Sequence, residues 1–308
     1  MMKAMRLMTG GTTIVETEVP QPTPGRGEIL VRVQAAGVIY TELGWYPTTH
    51  TKTGEARNGA VPGHEFSGIV AAVGDGVTGV EVGQEIYGMN DWFADGATAE
   101  YCVTLPESIA AKPKSLSPIE AASVPISALT AWQGLFDRAK LQAGERVLVH
   151  GGAGAVGIFA VQLARSRGAH VIATASEQNL AFVSELGADE VIDYRKERFE
   201  DRAGKVDVVF DTVGNETLQR SWGVLKKDGR MVTIASDVEG TDDPKLKAAF
   251  FIVEPNREQL EEVARMLDQS TLRTFVGATV PFEQAGQAYA NGHVSRMGPG
   301  KIVVAIAE

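Results

Sequence analysis

The chain has 308 residues, of which 44% are hydrophobic and 22% are charged, a balance typical of a globular protein with more than one domain. The formal charge of −10 disfavours nucleic acid as a partner, because phosphate groups require a basic face. The single cysteine, Cys102, excludes an intrachain disulfide. No apolar stretch is long enough to span a membrane, and the first residues lack the apolar core of a signal peptide. We therefore expect a cytoplasmic protein with no membrane partner.

Short apolar or alternating runs fill the first 120 residues, for example at 29–33, 66–73 and 98–105, and glycine and proline turns separate them. Such runs are typical of antiparallel strands. We therefore predict a β domain over residues 1–124. Cys102 lies in one of these runs without a cationic neighbour in sequence, so we expect a buried strand thiol rather than a reactive one.

Strand and helix patterns alternate from residue 125 to residue 272. The predicted strands are 147–150, 170–176, 190–193, 206–212, 230–235 and 250–253. The helical patterns between and after them include 177–186, 217–226 and 257–268. This alternation predicts an α/β domain with a doubly wound parallel sheet over residues 125–272.

The last segment, 273–308, does not continue the alternation. Its strand patterns at 279–282 and 301–306 surround one short helix at 282–290. Because these strands do not extend the parallel series, we expect the segment to return to the first domain.

A glycine motif lies where the apolar run 147–149 passes into a helical pattern. Gly152-x-Gly154-x-x-Gly157 has the spacing of a strand–turn–helix unit that binds a dinucleotide. The first glycine permits the tight turn, the second lets the backbone approach the pyrophosphate, and the third lets the helix pack on the sheet. Ala155 and Val156 then lie at the helix N-terminus, which faces the phosphates.

The end of the next predicted strand bears on the choice of cofactor. NAD enzymes of this fold carry an acidic residue there, which bonds the ribose 2′-hydroxyl. This chain has Ser176 instead, while Tyr194 and Arg195, after the third strand, offer a hydroxyl and a cation to a 2′-phosphate. Glu177 places a negative charge nearby, and the alternative is that Arg195 and Lys196 simply form a solvated loop. The residues favour NADPH.

Several motifs together resemble the medium-chain dehydrogenase/reductase superfamily, specifically its zinc-independent quinone oxidoreductase branch. They are Pro22-x-Pro24-x-x-Gly27-Glu28-Ile29-Leu30-Val31, Pro62-Gly63-His64-Glu65-Phe66-Ser67-Gly68, Leu129-Thr130-Ala131-Trp132-Gln133, Leu186-Gly187-Ala188-Asp189-Glu190-Val191-Ile192-Asp193-Tyr194 and Gly300-Lys301-Ile302-Val303. The resemblance implies a GroES-like β-barrel catalytic domain built from both chain ends and an inserted Rossmann domain. It also implies a cleft between them as the active site, and a homodimer.

The resemblance also raises the question of a metal. In zinc-dependent relatives, the segments similar to 37–42 and 125–128 each carry a cysteine ligand, and a histidine similar to His64 supplies another. This chain has Ile39 at the first cysteine position and no cysteine in the other segment. One histidine cannot hold a catalytic zinc, so we predict no metal and expect His64 to be a hydrogen-bonded part of the barrel rather than a ligand or proton relay.

Without a Lewis acid, the substrate must bring its own electron sink, as a quinone or an α,β-unsaturated carbonyl compound does. By resemblance, Tyr46 is the predicted proton donor and Tyr40 its competitor, although Tyr46 could equally be an aromatic wall. The resemblance also places Thr130, Phe251 and Val253 at the nicotinamide.

Three functions are compatible with the sequence. The first is an NADPH-dependent reductase of quinones or enones. The second is an enoyl-thioester reductase, which would need a basic groove that is not evident. The third is a non-catalytic NADPH-binding protein, similar to the lens crystallin of this branch.

Overall fold

The structure is a computed structural model that describes residues 1–8, 11, 13–290 and 294–307. Its strands, numbered in chain order, are β1 (Met2–Leu7), β2 (Ile14–Val19), β3 (Ile29–Val38), β4 (Glu65–Val73), β5 (Glu85–Met89), β6 (Tyr101–Thr104), β7 (Ile109–Ala111), β8 (Arg146–Val149), β9 (His170–Ala175), β10 (Glu190–Asp193), β11 (Val206–Asp211), β12 (Leu225–Thr233), β13 (Val276–Pro281) and β14 (Lys301–Ala305). Its α-helices are α1 (Tyr46–Thr49), α2 (Pro118–Ala122), α3 (Pro125–Trp132), α4 (Ala155–Ser166), α5 (Leu180–Glu185), α6 (Phe199–Arg202), α7 (Asn215–Ser221), α8 (Pro244–Ala249), α9 (Arg257–Asp268) and α10 (Ala285–Tyr289).

The first of two compact units comprises Met1–Ile126 and Glu254–Glu308. Strands β1 and β2 form an antiparallel pair, and the larger sheet has the order β13-β14-β3-β4-β5-β7, with β6 also paired to β3. All pairs in this larger sheet are antiparallel except β13 with β14. The alternating runs seen in the sequence therefore bury one set of side chains in a common apolar core that includes Val31, Phe66 and Ile86.

The second unit, Ser127–Val253, contains a parallel five-stranded sheet of order β10-β9-β8-β11-β12. Its strands are rich in β-branched residues and bury Leu148, Ile172 and Val209 in one core. From β8 the chain moves outward to β10, whereas β11 and β12 lie on the other side of β8. The order therefore reverses between β8 and β11, where doubly wound sheets bind their ligands.

The second unit ends at Val253, not at residue 272 as the alternation predicted. Helix α9 belongs to the first unit, where Tyr87 donates a hydrogen bond from its hydroxyl to Leu260 O at 2.6 Å. Asn256 caps this helix by accepting from the N–H of Gln259 at 3.0 Å. An amphipathic helix has the same sequence pattern whichever sheet it covers, so periodicity alone misplaced the boundary.

Two other predicted elements differ in detail. The segment 250–253 forms no regular strand and makes an isolated parallel bridge from Phe250 to Thr233. The helix predicted at 217–226 ends at Ser221, and a strand already begins at Leu225. No helix in the described ranges has the length and apolar character needed to cross a membrane.

Candidate functional site

A glycine turn joins the end of β8 to the start of α4. Its left-handed residue is Gly151, with φ of +75°, and not Gly152, to which the motif assigned the tight turn. Gly152 instead lies against β9: its N–H donates to Thr174 O at 2.9 Å, and a Cβ there would stand 3.0 Å from both Ala173 Cβ and Val183 Cγ1. Glycine at position 152 therefore allows close packing, while glycine at position 151 allows the turn.

Gly154 and Gly157 have opposite surroundings. A Cβ on Gly157 would stand 2.1 Å from Gly151 O, so only glycine lets α4 pack against the turn. A Cβ on Gly154 would have a single described atom within 4 Å, Gly151 O at 3.2 Å. The backbone of Gly154 is therefore the place where a ligand can approach closely.

The N-terminus of α4 offers backbone donors beside this open space. Gly154 is the N-cap residue and has no side chain to accept their hydrogen bonds. The first helical bond runs from Ile158 N–H to Gly154 O at 3.0 Å, which leaves the N–H groups of Ala155, Val156 and Gly157 without an intrahelical acceptor. These donors and the helix dipole favour an anionic group such as a pyrophosphate.

The tips of β9 and β10 bring together the residues predicted to select the cofactor. Asp193 pairs with Ala175 in the sheet, and Tyr194 N–H donates to Ala175 O at 3.3 Å, so Ser176 and Tyr194 leave adjacent strand ends. Ser176 is buried and accepts from Asn179 Nδ2 at 3.3 Å, whereas the Tyr194 side chain is exposed. The guanidinium carbon of Arg195 lies 5.6 Å from the centroid of the Tyr194 ring.

Two cationic side chains follow β10, and they differ in their partners. Lys196 donates to Glu177 at 2.5 Å, and this hydrogen bond raises the pKa of Lys196. Lys196, which follows β10, therefore offsets the negative charge of Glu177, which follows β9. Arg195 has no carboxylate partner among the described residues, so its guanidinium is available to an anionic ligand.

The ends of β11 and β12 are organised by a buried carboxylate that the sequence motifs did not reveal. Asp211 accepts hydrogen bonds from Gly214 N–H at 3.0 Å and from Thr233 Oγ1 at 2.8 Å. Burial raises the pKa of Asp211, against the opposing effect of these hydrogen bonds. These bonds hold Gly214 at a φ of +79° in the loop after β11. The glycine turn follows β8, the neighbouring strand on the other side of the point where the strand order reverses.

The residues predicted at the nicotinamide lie in the same unit. Thr130 is buried on α3, and Phe251 and Val253 are buried in the segment after α8. Phe251 N–H donates to Thr233 O at 3.3 Å, which places this segment beside the end of β12. A Cβ on Gly134 would stand 3.3 Å from Phe251 Cε1, so the Phe251 ring packs against Gly134. Gly134 lies four residues after Thr130, about one helical turn further along the chain.

His64 lies in the first unit with both ring nitrogens bonded. Nδ1 lies 3.0 Å from Glu42 Oε2, and Nε2 lies 3.3 Å from Ala94 O. Glu42 Oε1 accepts from Gly63 N–H at 2.8 Å, and both side chains are buried. The prediction that His64 is a hydrogen-bonded part of this domain is confirmed, but its partner, Glu42, lies 22 positions away and was not found from the sequence.

The predicted catalytic tyrosines both lie near the start of the first unit. Tyr40 is exposed at the first position of a short 3₁₀-helix, Tyr40–Gly44. Tyr46 is 52% exposed and begins α1, where its ring stacks on the His50 imidazole with centroids 4.5 Å apart and an interplanar angle of 7°. The stack fixes the ring plane and leaves its outer face open. The spacing of four residues was a sequence signal for this contact that motif reasoning missed.

Two further predictions concern metals and the thiol. No group of three or more His, Cys, Asp or Glu side chains among the described residues could hold a metal ion. Cys102 is buried in β6, which confirms the prediction of a buried strand thiol, and this burial raises the pKa of the thiol to about 12.

Two family models match separate parts of the chain, and the second match crosses from the second unit into the last segment of the first. A family model described as "Alcohol dehydrogenase GroES-like domain" matches residues 25–114, and one described as "Zinc-binding dehydrogenase" matches residues 186–304. The chain is 31% identical to "Probable zinc-binding oxidoreductase, mitochondrial" of Arthroderma benhamiae, over 96% of this chain and 94% of that protein. It is 30% identical to "NADPH-dependent alkenal/one oxidoreductase, chloroplastic" of Arabidopsis thaliana, over 96% of this chain and 77% of that protein.

Among solved structures, the quinone oxidoreductase from Coxiella burnetii superposes with a TM-score of 0.86 and 30% identity, covering 99% of both chains. This agreement confirms the predicted fold class, in which a GroES-like domain accompanies a Rossmann-like parallel sheet.

Proposed function

The chain belongs to the medium-chain dehydrogenase/reductase superfamily, and from this membership we propose that it is an NADPH-dependent oxidoreductase that reduces quinones or α,β-unsaturated carbonyl compounds without zinc. Similarity to an alkenal/one oxidoreductase of Arabidopsis and to a quinone oxidoreductase of Coxiella supports both substrate classes. The second family description mentions zinc, so the residues of this chain must decide between metal-dependent and metal-free chemistry.

The observation that carries the proposal is the environment of His64. In this chain Glu42 and the backbone of Ala94 occupy the two nitrogens through which a histidine would bind a metal. Ile39, at the position of a cysteine ligand in zinc-dependent relatives, offers no donor atom. A simple alcohol or ketone would then lack a Lewis acid to stabilise a developing alkoxide, whereas a quinone or enone delocalises the negative charge itself.

The preference for NADPH is supported by the tips of β9 and β10. Ser176 carries no charge that would repel a 2′-phosphate, and Glu177 is offset by Lys196. Arg195, with no carboxylate partner among the described residues, supplies the cation. The proposed pyrophosphate site is the open backbone of Gly154 together with the N–H groups at the start of α4 that have no intrahelical acceptor.

When bound, the reduced cofactor supplies a hydride, and the chain must orient the substrate and deliver a proton. We assign the proton to the hydroxyl of Tyr46, because the stack on His50 holds the ring while half of the side chain stays accessible. Tyr40 is about equally exposed but stacks on no ring in the part of the chain that the structure describes, so it is the weaker candidate. A homodimer and a cytoplasmic location remain predictions.

Turnover with a substrate panel tests the proposal. The panel contains a p-quinone, a short enone, an enoyl-coenzyme A thioester and, in the reverse direction, a primary alcohol with NADP⁺. We expect NADPH oxidation with the quinone or the enone and no reduction of NADP⁺ by the alcohol. Reduction of the thioester alone would favour an enoyl-thioester reductase. No turnover with any acceptor, despite tight NADPH binding, would favour a non-catalytic binding protein.

A further inference from the structure

A chain of buried hydrogen bonds connects helix α7 to the glycine turn through a histidine that no motif singled out. His150 is the residue between β8 and Gly151, and its side chain is 1% exposed. Its Nε2 lies 2.9 Å from Ser221 Oγ, and its Nδ1 lies 3.2 Å from Thr174 Oγ1. Thr174 Oγ1 also accepts from the N–H of Gly151 at 3.2 Å.

The direction of each bond follows from the number of protons available. Ser221 has one hydroxyl proton and donates it to Thr217 O at 2.6 Å, so Ser221 Oγ must accept from His150 Nε2–H. Nδ1 of the same neutral ring is then an acceptor, and it receives the hydroxyl proton of Thr174. The order of donation is therefore Gly151 N–H to Thr174, Thr174 to His150, His150 to Ser221, and Ser221 to the α7 backbone.

The surroundings of His150 keep the ring neutral and fixed. The Phe199 ring packs edge-on against it, with centroids 4.6 Å apart, and Arg220 lies 4.9 Å from the Phe199 ring centroid. Burial lowers the pKa of His150 to about 3, and the charge of Arg220 acts in the same direction. The backbone oxygen of His150 accepts from Thr212 Oγ1 at 2.7 Å, so both ends of the residue are held.

Gly151 is the residue on which the geometry of the turn depends. It has the left-handed φ, and its carbonyl oxygen accepts from Gly154 N–H at 2.9 Å. The same oxygen sets the close approach of Gly157. A rotation of the peptide at Gly151 would therefore displace both the open backbone at Gly154 and the first turn of α4.

We propose that His150 is a positioning residue for the dinucleotide: as the Nε2–H tautomer, it aligns Thr174 so that Gly151 holds the glycine turn in the form that receives the pyrophosphate. This role rests on the proposed function only in requiring that a dinucleotide binds at the turn. His150 does not itself touch the cofactor.

We call the chain of hydrogen bonds from Gly151 through Thr174, His150 and Ser221 to the α7 backbone the relay. Imidazole NMR of the protein without cofactor tests it directly. The ¹⁵N shifts of His150 should report the Nε2–H tautomer, unchanged between about pH 5 and pH 8, because the ring does not titrate in this range. An Nδ1–H tautomer or an imidazolium within this range would overturn the proposal. This measurement is independent of whether the protein reduces quinones or enones.

Dinucleotide binding tests the positioning role. Ser221→Ala breaks the relay at α7 without touching the turn, and it should weaken NADPH binding by about three- to tenfold, the effect of one buried hydrogen bond. Thr174→Val should weaken binding at least as much, while Thr174→Ser, which keeps the hydroxyl, should stay within about twofold of wild type. His150→Asn, whose Oδ1 can replace the Nδ1 acceptor, should retain more affinity than His150→Leu.

Ser123→Ala is the matched control. Ser123 is also a buried serine whose hydroxyl donates to a backbone carbonyl, that of Glu120 at 2.6 Å, but it lies in the first unit. Both serine variants should lower the unfolding temperature, and only Ser221→Ala should also weaken NADPH binding and speed hydrogen exchange at the Gly151 amide.

Unchanged NADPH affinity and unchanged Gly151 exchange in Ser221→Ala would overturn the positioning role. All titrations are repeated with NADH. If the wild type prefers NADH, the proposed cofactor is wrong, but the NADH affinities of the variants still test the positioning role. If neither dinucleotide binds the wild type, the positioning role is wrong, whatever the tautomer.

Discussion

Arg195 is the residue on which discrimination between NADPH and NADH should depend most. Its guanidinium has no carboxylate partner among the described residues. Arg195 follows β10, whose last residue pairs with Ala175, the residue before Ser176. A charge-assisted bond to phosphate contributes about 1.5–3 kcal/mol, and exposure to solvent at this tip reduces the figure to roughly 1–2 kcal/mol. Arg195→Ala should therefore raise the Kd for NADPH by about five- to thirtyfold and leave that for NADH within about twofold.

Fluorescence titration with both cofactors measures this difference. Arg198→Ala is the matched control, because it removes the same charge from the same loop, where Arg198 already contacts Glu200 at 3.3 Å. This control should change the two affinities little and equally. Raising the salt concentration should shrink the effect of Arg195→Ala, since an exposed ion pair is screened. Equal losses of NADPH and NADH binding in Arg195→Ala would refute the assignment of a 2′-phosphate site to this tip.

Four other outcomes are expected. Elemental analysis should find no stoichiometric zinc, and chelator should leave activity unchanged; about one zinc per chain would contradict the metal-free chemistry. Gly157→Ala should destabilise the fold, because its Cβ would stand 2.1 Å from a backbone oxygen, whereas Gly154→Ala should fold normally and weaken cofactor binding in a titration. Tyr46→Phe should slow enone reduction by roughly 10²-fold at unchanged NADPH affinity; a change of a few-fold would make the ring only a wall of the site. Glu200→Gln should lower the free energy of unfolding by about 1 kcal/mol near neutral pH, with the difference vanishing in acid. Arg220 lowers the pKa of Glu200 to about 2, so its contribution is present above the usual carboxyl pKa and is lost as the pH falls towards 2, which urea unfolding at several pH values would show.

Features set by local spacing could be predicted from the sequence. The glycine motif, the strands around it and the α/β class depend on residues close together in the chain, and the structure contains them. The backbone angles of individual residues were harder to predict. The motif spacing assigned the tight turn to Gly152, but Gly151 has the positive φ. Helix α9 has the same amphipathic pattern whichever sheet it covers, so its unit could not be inferred.

Buried polar partners could not be predicted, because they depend on contacts distant in sequence. Glu42 meets His64 across 22 positions, and His150 meets Ser221 across 71. Each partner is an ordinary residue type in an ordinary pattern, and only the packing of separate elements brings the pair together. No local sequence pattern distinguishes these side chains from solvated ones.

Deuterium transfer in metal-stripped protein tests the central claim most directly. Protein that has been exhaustively treated with chelator and shown by elemental analysis to be free of metal is mixed with a short enone and NADPH carrying deuterium at the transferable position of nicotinamide C4. The proposed function predicts a saturated carbonyl product that carries deuterium at the β-carbon, formed at the rate of the untreated protein. A product without deuterium, or activity that disappears on stripping and returns with zinc, would contradict it.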